Sequence, residues 1–223
     1  MAKRKYSVVD RGTFYKSEAY KKAKMARQAR YIRPAALVPE LKSIDVKSEA
    51  AFSQGSPVIL CLNAIGAGTD INQRVGRKVK LNSLQSTLSL QSNIDGGGGK
   101  CRAALVYDRQ PNGSPPVYTD IFSNEAAGSD AWTGINLKNR DRFKILRDYK
   151  MNLIGTNVAP WSPFQMEFHQ DYIKLGLDEV FGNGDDDTGA IQSGALWAVF
   201  YTEDSTALSG NYQIETRVRY TDM

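Results

Sequence analysis

The C-terminal stretch NYQIETRVRYT (211–221) puts Tyr212, Ile214, Thr216, Val218 and Tyr220 on one side and Gln213, Glu215, Arg217 and Arg219 on the other. Successive side chains of an extended chain point to opposite faces, so this strict period of two describes a strand with one buried and one wet face. Seven further short runs have the same β-rich texture: PVILCLN (57–63), RKVKLNSLQSTLSLQ (77–91), RAALVYD (102–108), RFKILRDYKMN (142–152), FQMEFHQDYIK (164–174), LDEVF (177–181) and ALWAVFYT (195–202). Gly, Pro, Asn and Asp separate them, as in GGGG (96–99), PNGSPP (111–116) and GNGDDDTG (182–189), which is the chemistry of turns and loops. No long amphipathic helix alternates with the runs, which disfavours an α/β layout. An all-β, eight-stranded antiparallel jelly roll is the architecture expected. Within 77–91 the apolar positions switch from odd (Val79, Leu81) to even (Leu84, Leu88, Leu90), which predicts a β-bulge over 82–84.

At 223 residues and 41% hydrophobic, the chain is long enough for one well-buried core. The expected division is a basic N-terminal arm over 1–39 and a β domain over 40–223. No apolar run approaches the roughly 20 residues of a membrane span, and no membrane partner is expected. Two cysteines, Cys61 and Cys101, make neither a disulfide framework nor a CxxC metal pattern and read as free, partly buried thiols.

The arm sets the functional reading. Residues 1–34 carry eleven Lys and Arg against Asp10 and Glu18, a local net charge of +9, while the remainder has 18 basic and 22 acidic residues, a net of −4. A helix is expected over 17–32, where Ala, Lys, Arg, Gln and Met predominate and Pro34 follows. On it Lys16, Tyr20, Lys24, Arg27 and Tyr31 share one face, with Arg11, Lys21, Lys22 and Arg30 adding charge. Cations track phosphates and tyrosine rings stack on unpaired bases, so this stripe points to single-stranded nucleic acid without sequence readout. A merely solvated tail is the competing reading.

Nothing recognisable as catalytic accompanies it. The single histidine, His169, reads as a polar-face strand residue, with no GxSxG, P-loop, HExxH or dinucleotide fingerprint. Asp185, Asp186 and Asp187 lack the spacing of a calcium loop and read as a solvated acidic turn. Neither enzyme activity, cofactor nor metal is expected.

GTDINQRVGRKVKLNSL (68–84), ALVYDRQPNGSPP (104–116) and DTGAIQSGALWAVFYTED (187–204) together resemble the coat proteins of circular Rep-encoding single-stranded DNA viruses, of geminivirus-like and circovirus-like type. The resemblance implies a non-enzymatic jelly-roll shell subunit whose arm faces the particle interior. It implies copies of itself as partners, about sixty in the simplest icosahedral shell or a pentamer-based assembly, and a single-stranded DNA genome as cargo. Lys3, Arg4 and Lys5 fit a nuclear-import signal for a host receptor, which places the chain in the virion and, during assembly, in the host nucleus. Geminivirus coat proteins generally carry a Cys/His cluster; one His and two distant Cys give no counterpart, and no metal site is carried over. Arg77, Lys78 and Lys80 are candidates to extend the inner surface, or are solvated strand-edge residues. Trp132, Trp161 and the PWSPF segment (160–164) are candidates for subunit contacts or core, and Trp197 for core. A non-assembling nucleic-acid-binding or trafficking protein and an RNA satellite coat are the alternative functions.

Overall fold

A computed structural model describes residues 40–52, 57–91, 99–123, 130–153, 166–203 and 210–223. Its strands, in chain order, are β1 (Lys42–Phe52), β2 (Val58–Cys61), β3 (Lys78–Gln91), β4 (Gly99–Asp108), β5 (Phe143–Leu153), β6 (Met166–Phe181), β7 (Ile191–Ser193), β8 (Ala195–Thr202) and β9 (Gly210–Asp222). Helix among the described residues is one turn, α1 (Tyr118–Ile121), and two 3₁₀ turns, Leu137–Asn139 and Thr188–Ala190. The helix expected over 17–32 lies outside the described residues.

The strands form two antiparallel sheets, β1-β9-β3-β6-β7 and β2-β8-β4-β5. First strand pairs with last and second with next-to-last, and the middle strands nest inside them. With the three-residue β7 set aside, that order is a jelly roll, eight strands in two Greek keys. The alternation of β9 explains its place between β1 and β3: Tyr212, Ile214, Val218 and Tyr220 are buried while Gln213, Glu215 and Arg217 are exposed. Across the sandwich the Tyr212 ring stacks on Phe200 of β8 at 4.1 Å. The expected bulge is present, as the register of β3 shifts between Leu81 and Ser83 against both neighbours.

The two central strands of the four-stranded sheet, β8 and β4, are covered on both faces. All eight residues of β8 are buried, as are the last eight of β4. An unbroken apolar run such as ALWAVFYT is consistent with this double burial. Trp197 is in the core as expected, with no exposed surface. The cover comes from the connection between β4 and β5: Tyr118 stacks on Tyr201 at 4.1 Å, and the Arg102 guanidinium lies 3.4 Å over the Phe122 ring. Arg102 is held there by two hydrogen bonds to Asp148, at 2.8 and 2.7 Å.

Nine strands replace the eight expected. β1 escapes a propensity reading because KSIDVKSEAAF is rich in Lys, Ser, Glu and Ala, and β7 is too short to show. The runs 164–174 and 177–181 are parts of one strand, since β6 passes through Gly176 at φ +63° without stopping. His169 corrects a face assignment. The even residues of β6 from Met166 to Tyr172 are exposed, and His169, on the opposite face, stacks on Tyr149 of β5 at 4.2 Å.

Candidate nucleic-acid interface

The arm residues expected to meet nucleic acid, Lys16, Tyr20, Lys24, Arg27 and Tyr31 with Arg11, Lys21, Lys22 and Arg30, lie outside the described residues. So do Lys3, Arg4 and Lys5, as well as Trp161 and the PWSPF segment. The described body supplies a second set of cations, on the outer face of the five-stranded sheet.

Strand register builds that face. Ser83 of β3 stands opposite Lys174 of β6 on one side and Arg219 of β9 on the other, and Arg219 stands opposite Ser43 of β1. In the next row Gln85 is flanked by Tyr172 and Arg217, with Asp45 beyond. Beyond the bulge Lys80 lies between Asp178 and Thr221. Lys78 and Lys80, which the sequence offered as an extension of the binding surface, are exposed on this same face, and Arg77 is exposed just before it.

Some of these charges are already engaged. Arg217 grips Asp45 through Nε and Nη2 at 2.7 and 2.6 Å, and its hydrogen bonds hold the Asp45 carboxyl below the usual carboxylate range. Lys78 pairs with Asp178 at 3.4 Å. Lys174 and Arg219 have no described carboxylate within ion-pair distance. They flank an open groove of about 470 Å³ lined also by Leu41, Asn82, Ser83, Tyr172, Leu175 and Gly176. The bulge makes the groove: Ser83, only 5% exposed, is a short floor between two long cationic side chains, and Tyr172, 55% exposed, forms one end.

Lys174, Arg219 and Tyr172 were not singled out from sequence as binding residues. The alternation of β9 does put Arg219 on its polar face, but that Lys174 and Arg219 flank one serine follows from the register of three strands far apart in sequence.

The remaining candidates resolve structurally. Asp187 caps the 3₁₀ turn Thr188–Ala190 by accepting from the Ala190 amide at 2.9 Å, and Asp185 accepts from Asn183 Nδ2 at 2.6 Å. Asp185 and Asp186 are exposed, as a solvated acidic loop requires. Among the described residues no three His, Cys, Asp or Glu side chains converge as metal ligands. Neither Cys61 nor Cys101 is in a disulfide, and burial pushes the Cys61 thiol up to about 11. Trp132 is 44% exposed, with the Lys100 ammonium 5.3 Å above its ring. Glu179 is fully buried with both carboxyl oxygens lacking a hydrogen bond, and burial, against smaller pulls from Asn63 and Arg74, raises its pKa well above the ordinary value.

The sequence profile of the geminivirus coat protein/nuclear export factor BR1 family matches residues 2–222. No curated protein matches the chain. Solved structures similar to it include turnip yellow mosaic virus, at 12% identity over 83% of this chain and 96% of that one with a TM-score of 0.30. The 60-mer BFDV capsid protein is similar at 7% identity over 82% of this chain and 95% of that one, with a TM-score of 0.31. Infectious bursal disease virus, Gx strain, is similar at 12% identity over 82% of this chain and 38% of that one, with a TM-score of 0.25.

Proposed function

The chain belongs to the geminivirus coat protein/nuclear export factor BR1 family and is a viral coat protein, a premise from which we propose that its copies close into a small icosahedral shell around single-stranded DNA. The β domain, 40–223, makes the shell and the arm, 1–39, holds the genome. The observation that carries this reading is the separation of charge along the chain, +9 in residues 1–34 and −4 in the rest. A body of that sign has no general attraction for a polyanion, whereas the arm has enough cations to neutralise phosphates and release their counterions. Lys16, Tyr20, Lys24, Arg27 and Tyr31 are the residues that meet nucleotides, with Arg11, Lys21, Lys22 and Arg30 supplying further charge. About sixty copies form the simplest such shell. Lys3, Arg4 and Lys5 bind a host import receptor and bring the protein into the nucleus, where assembly takes place.

A second reading is favoured by the other half of the family description, nuclear export factor: a monomer or small oligomer that binds single strands through the arm and carries them without enclosing them. A shell with RNA cargo is a third. One experiment separates them. The full-length protein is sedimented and its nucleic acid extracted and typed with DNase and RNase. Megadalton particles holding nuclease-protected, DNase-sensitive strands are expected. Species of a few tens of kilodaltons that bind oligonucleotides and never assemble would replace the shell with the carrier, and RNase-sensitive contents would change the cargo.

A further inference from the structure

We propose that the groove at the β3 bulge is a nucleotide-binding site on the body itself, taking a backbone phosphate between Lys174 and Arg219 and a base on the exposed ring of Tyr172. The inference rests on the reading of the protein as a binder of single-stranded nucleic acid and extends it to residues outside the arm.

Strand register sets the spacing of the two cations. Adjacent strands lie about 4.8 Å apart, so Lys174 and Arg219, one strand either side of Ser83, have backbones roughly 10 Å apart. Both residues line the groove together with a serine that fills little of the space between them, and an anion bound there faces two cations with the Ser83 hydroxyl beside them. The carboxylates nearest the row are answered elsewhere, Asp45 by Arg217 and Asp178 by Lys78.

Exposed aromatic rings stand beside these cations. Tyr172 is 55% exposed and Phe168, four residues earlier on the same face of β6, is 58% exposed. At about 3.3 Å per residue the two rings stand roughly 13 Å apart along the strand. Rings presented in series beside cations are how single strands are held without sequence preference, because every base has a face to stack. An acidic peptide would use the cations and leave the rings idle.

Leu41, which lines the groove, is two residues from the end of the arm. The chain that leaves the arm therefore enters the body at the groove.

The test uses the full-length protein and a 20-nucleotide oligo(dT). Ultraviolet cross-linking followed by peptide mapping is expected to give a thymine adduct on Tyr172. Replacing both cations, Lys174→Gln with Arg219→Gln, lowers the magnitude of the salt slope by about 0.7, the value of one phosphate contact for single strands. Tyr172→Ala weakens binding roughly 5- to 100-fold while Tyr172→Phe keeps it, since stacking is worth one or two decades per base. The arm variant Lys24→Gln with Arg27→Gln reports separately: its salt slope tests the arm, and the Tyr172 adduct persists in it at saturating oligonucleotide. An unchanged salt slope in the groove variant, with adducts confined to other positions, would overturn the site whatever the arm variant does. Loss of particle assembly in the groove variant at an unchanged salt slope would also overturn it, assigning the groove to carboxylates of a neighbouring copy.

Discussion

Arg142 donates to Asp108 through two parallel hydrogen bonds, Nε to Oδ1 at 2.9 Å and Nη2 to Oδ2 at 2.8 Å, although Asp108 has no exposed surface. Asp108 ends β4 and Arg142 precedes β5, so the pair joins the two ends of the connection that covers the four-stranded sheet. Its Oδ1 also accepts from the Gln110 amide at 2.9 Å. Arg142→Ala leaves a buried carboxylate without its cation and is expected to cost about 3–5 kcal/mol in equilibrium urea unfolding. Replacing both residues by apolar ones of similar volume costs less than the single change, because the stranded charge is then gone. Equal losses in the two variants would mean that the bridge contributes little.

Glu179 makes stability depend on pH in the opposite sense from Asp45. Its folded pKa is raised by burial, so the folded protein keeps the proton at pH values where the unfolded chain has released it. Stability therefore falls as pH rises above the ordinary glutamate value of 4.5, by at most about 1.4 kcal/mol per pH unit from this group, and is unaffected below it. The groups around it are Arg74, Asn63, Cys61, Tyr107 and Tyr220. Arg74 offers little direct compensation, since its donors go to the carbonyls of Ile65, Gly76 and Asn183. Glu179→Gln is expected to raise the melting temperature at pH 8 and to leave it unchanged at pH 4. A larger gain at pH 4 would refute the protonated assignment.

Two glycines with positive φ should respond differently to alanine. At Gly194, φ +87°, a Cβ would collide with the Asp178 carbonyl oxygen and sit 3.0 Å from the Glu179 Cα, so the backbone itself would have to move. At Gly176, φ +63°, nothing lies within 4 Å. Gly194→Ala is expected to yield no soluble folded protein, and Gly176→Ala to lose about 1–2 kcal/mol, the cost of a left-handed alanine, in the same unfolding assay.

Arm charge has its own signature. Lys24→Gln with Arg27→Gln should lower the magnitude of the salt slope for oligonucleotide binding by about 1.4 and leave the unfolding midpoint unchanged. An unaltered slope would remove these two residues from the interface.

The parts of the fold legible in the sequence are those where one local pattern decides the outcome. The period of β9 and the phase change in β3 did so, and both the strand face and the bulge follow from them. β1 was hidden because its partner supplies what its composition lacks: Lys42, Asp45 and Lys47 lie in register with Tyr220, Arg217 and Glu215. In β6 two patterns conflict. Ile173, Leu177 and Phe181 pack inward, which puts Met166, Phe168 and Tyr172 outward on the same strand. The inward positions nearer its start are filled by polar groups that meet the edge of the other sheet, as in the 2.8 Å bridge from Arg147 to Asp171. Of the candidate site, the arm was readable as composition, whereas the groove exists only through pairing between residues more than 40 positions apart.

Because β8 and most of β4 are packed on both sides, there is scarcely a position along either at which a replacement lands in water. Along β9 every second position does. Sequence drift accumulates where a new side chain has nothing to collide with. The two walls of the sandwich are therefore expected to age at different speeds among related genomes: one wall fixed at its centre by its own interior, the other rewritten at alternate residues while the strand beneath stays the same.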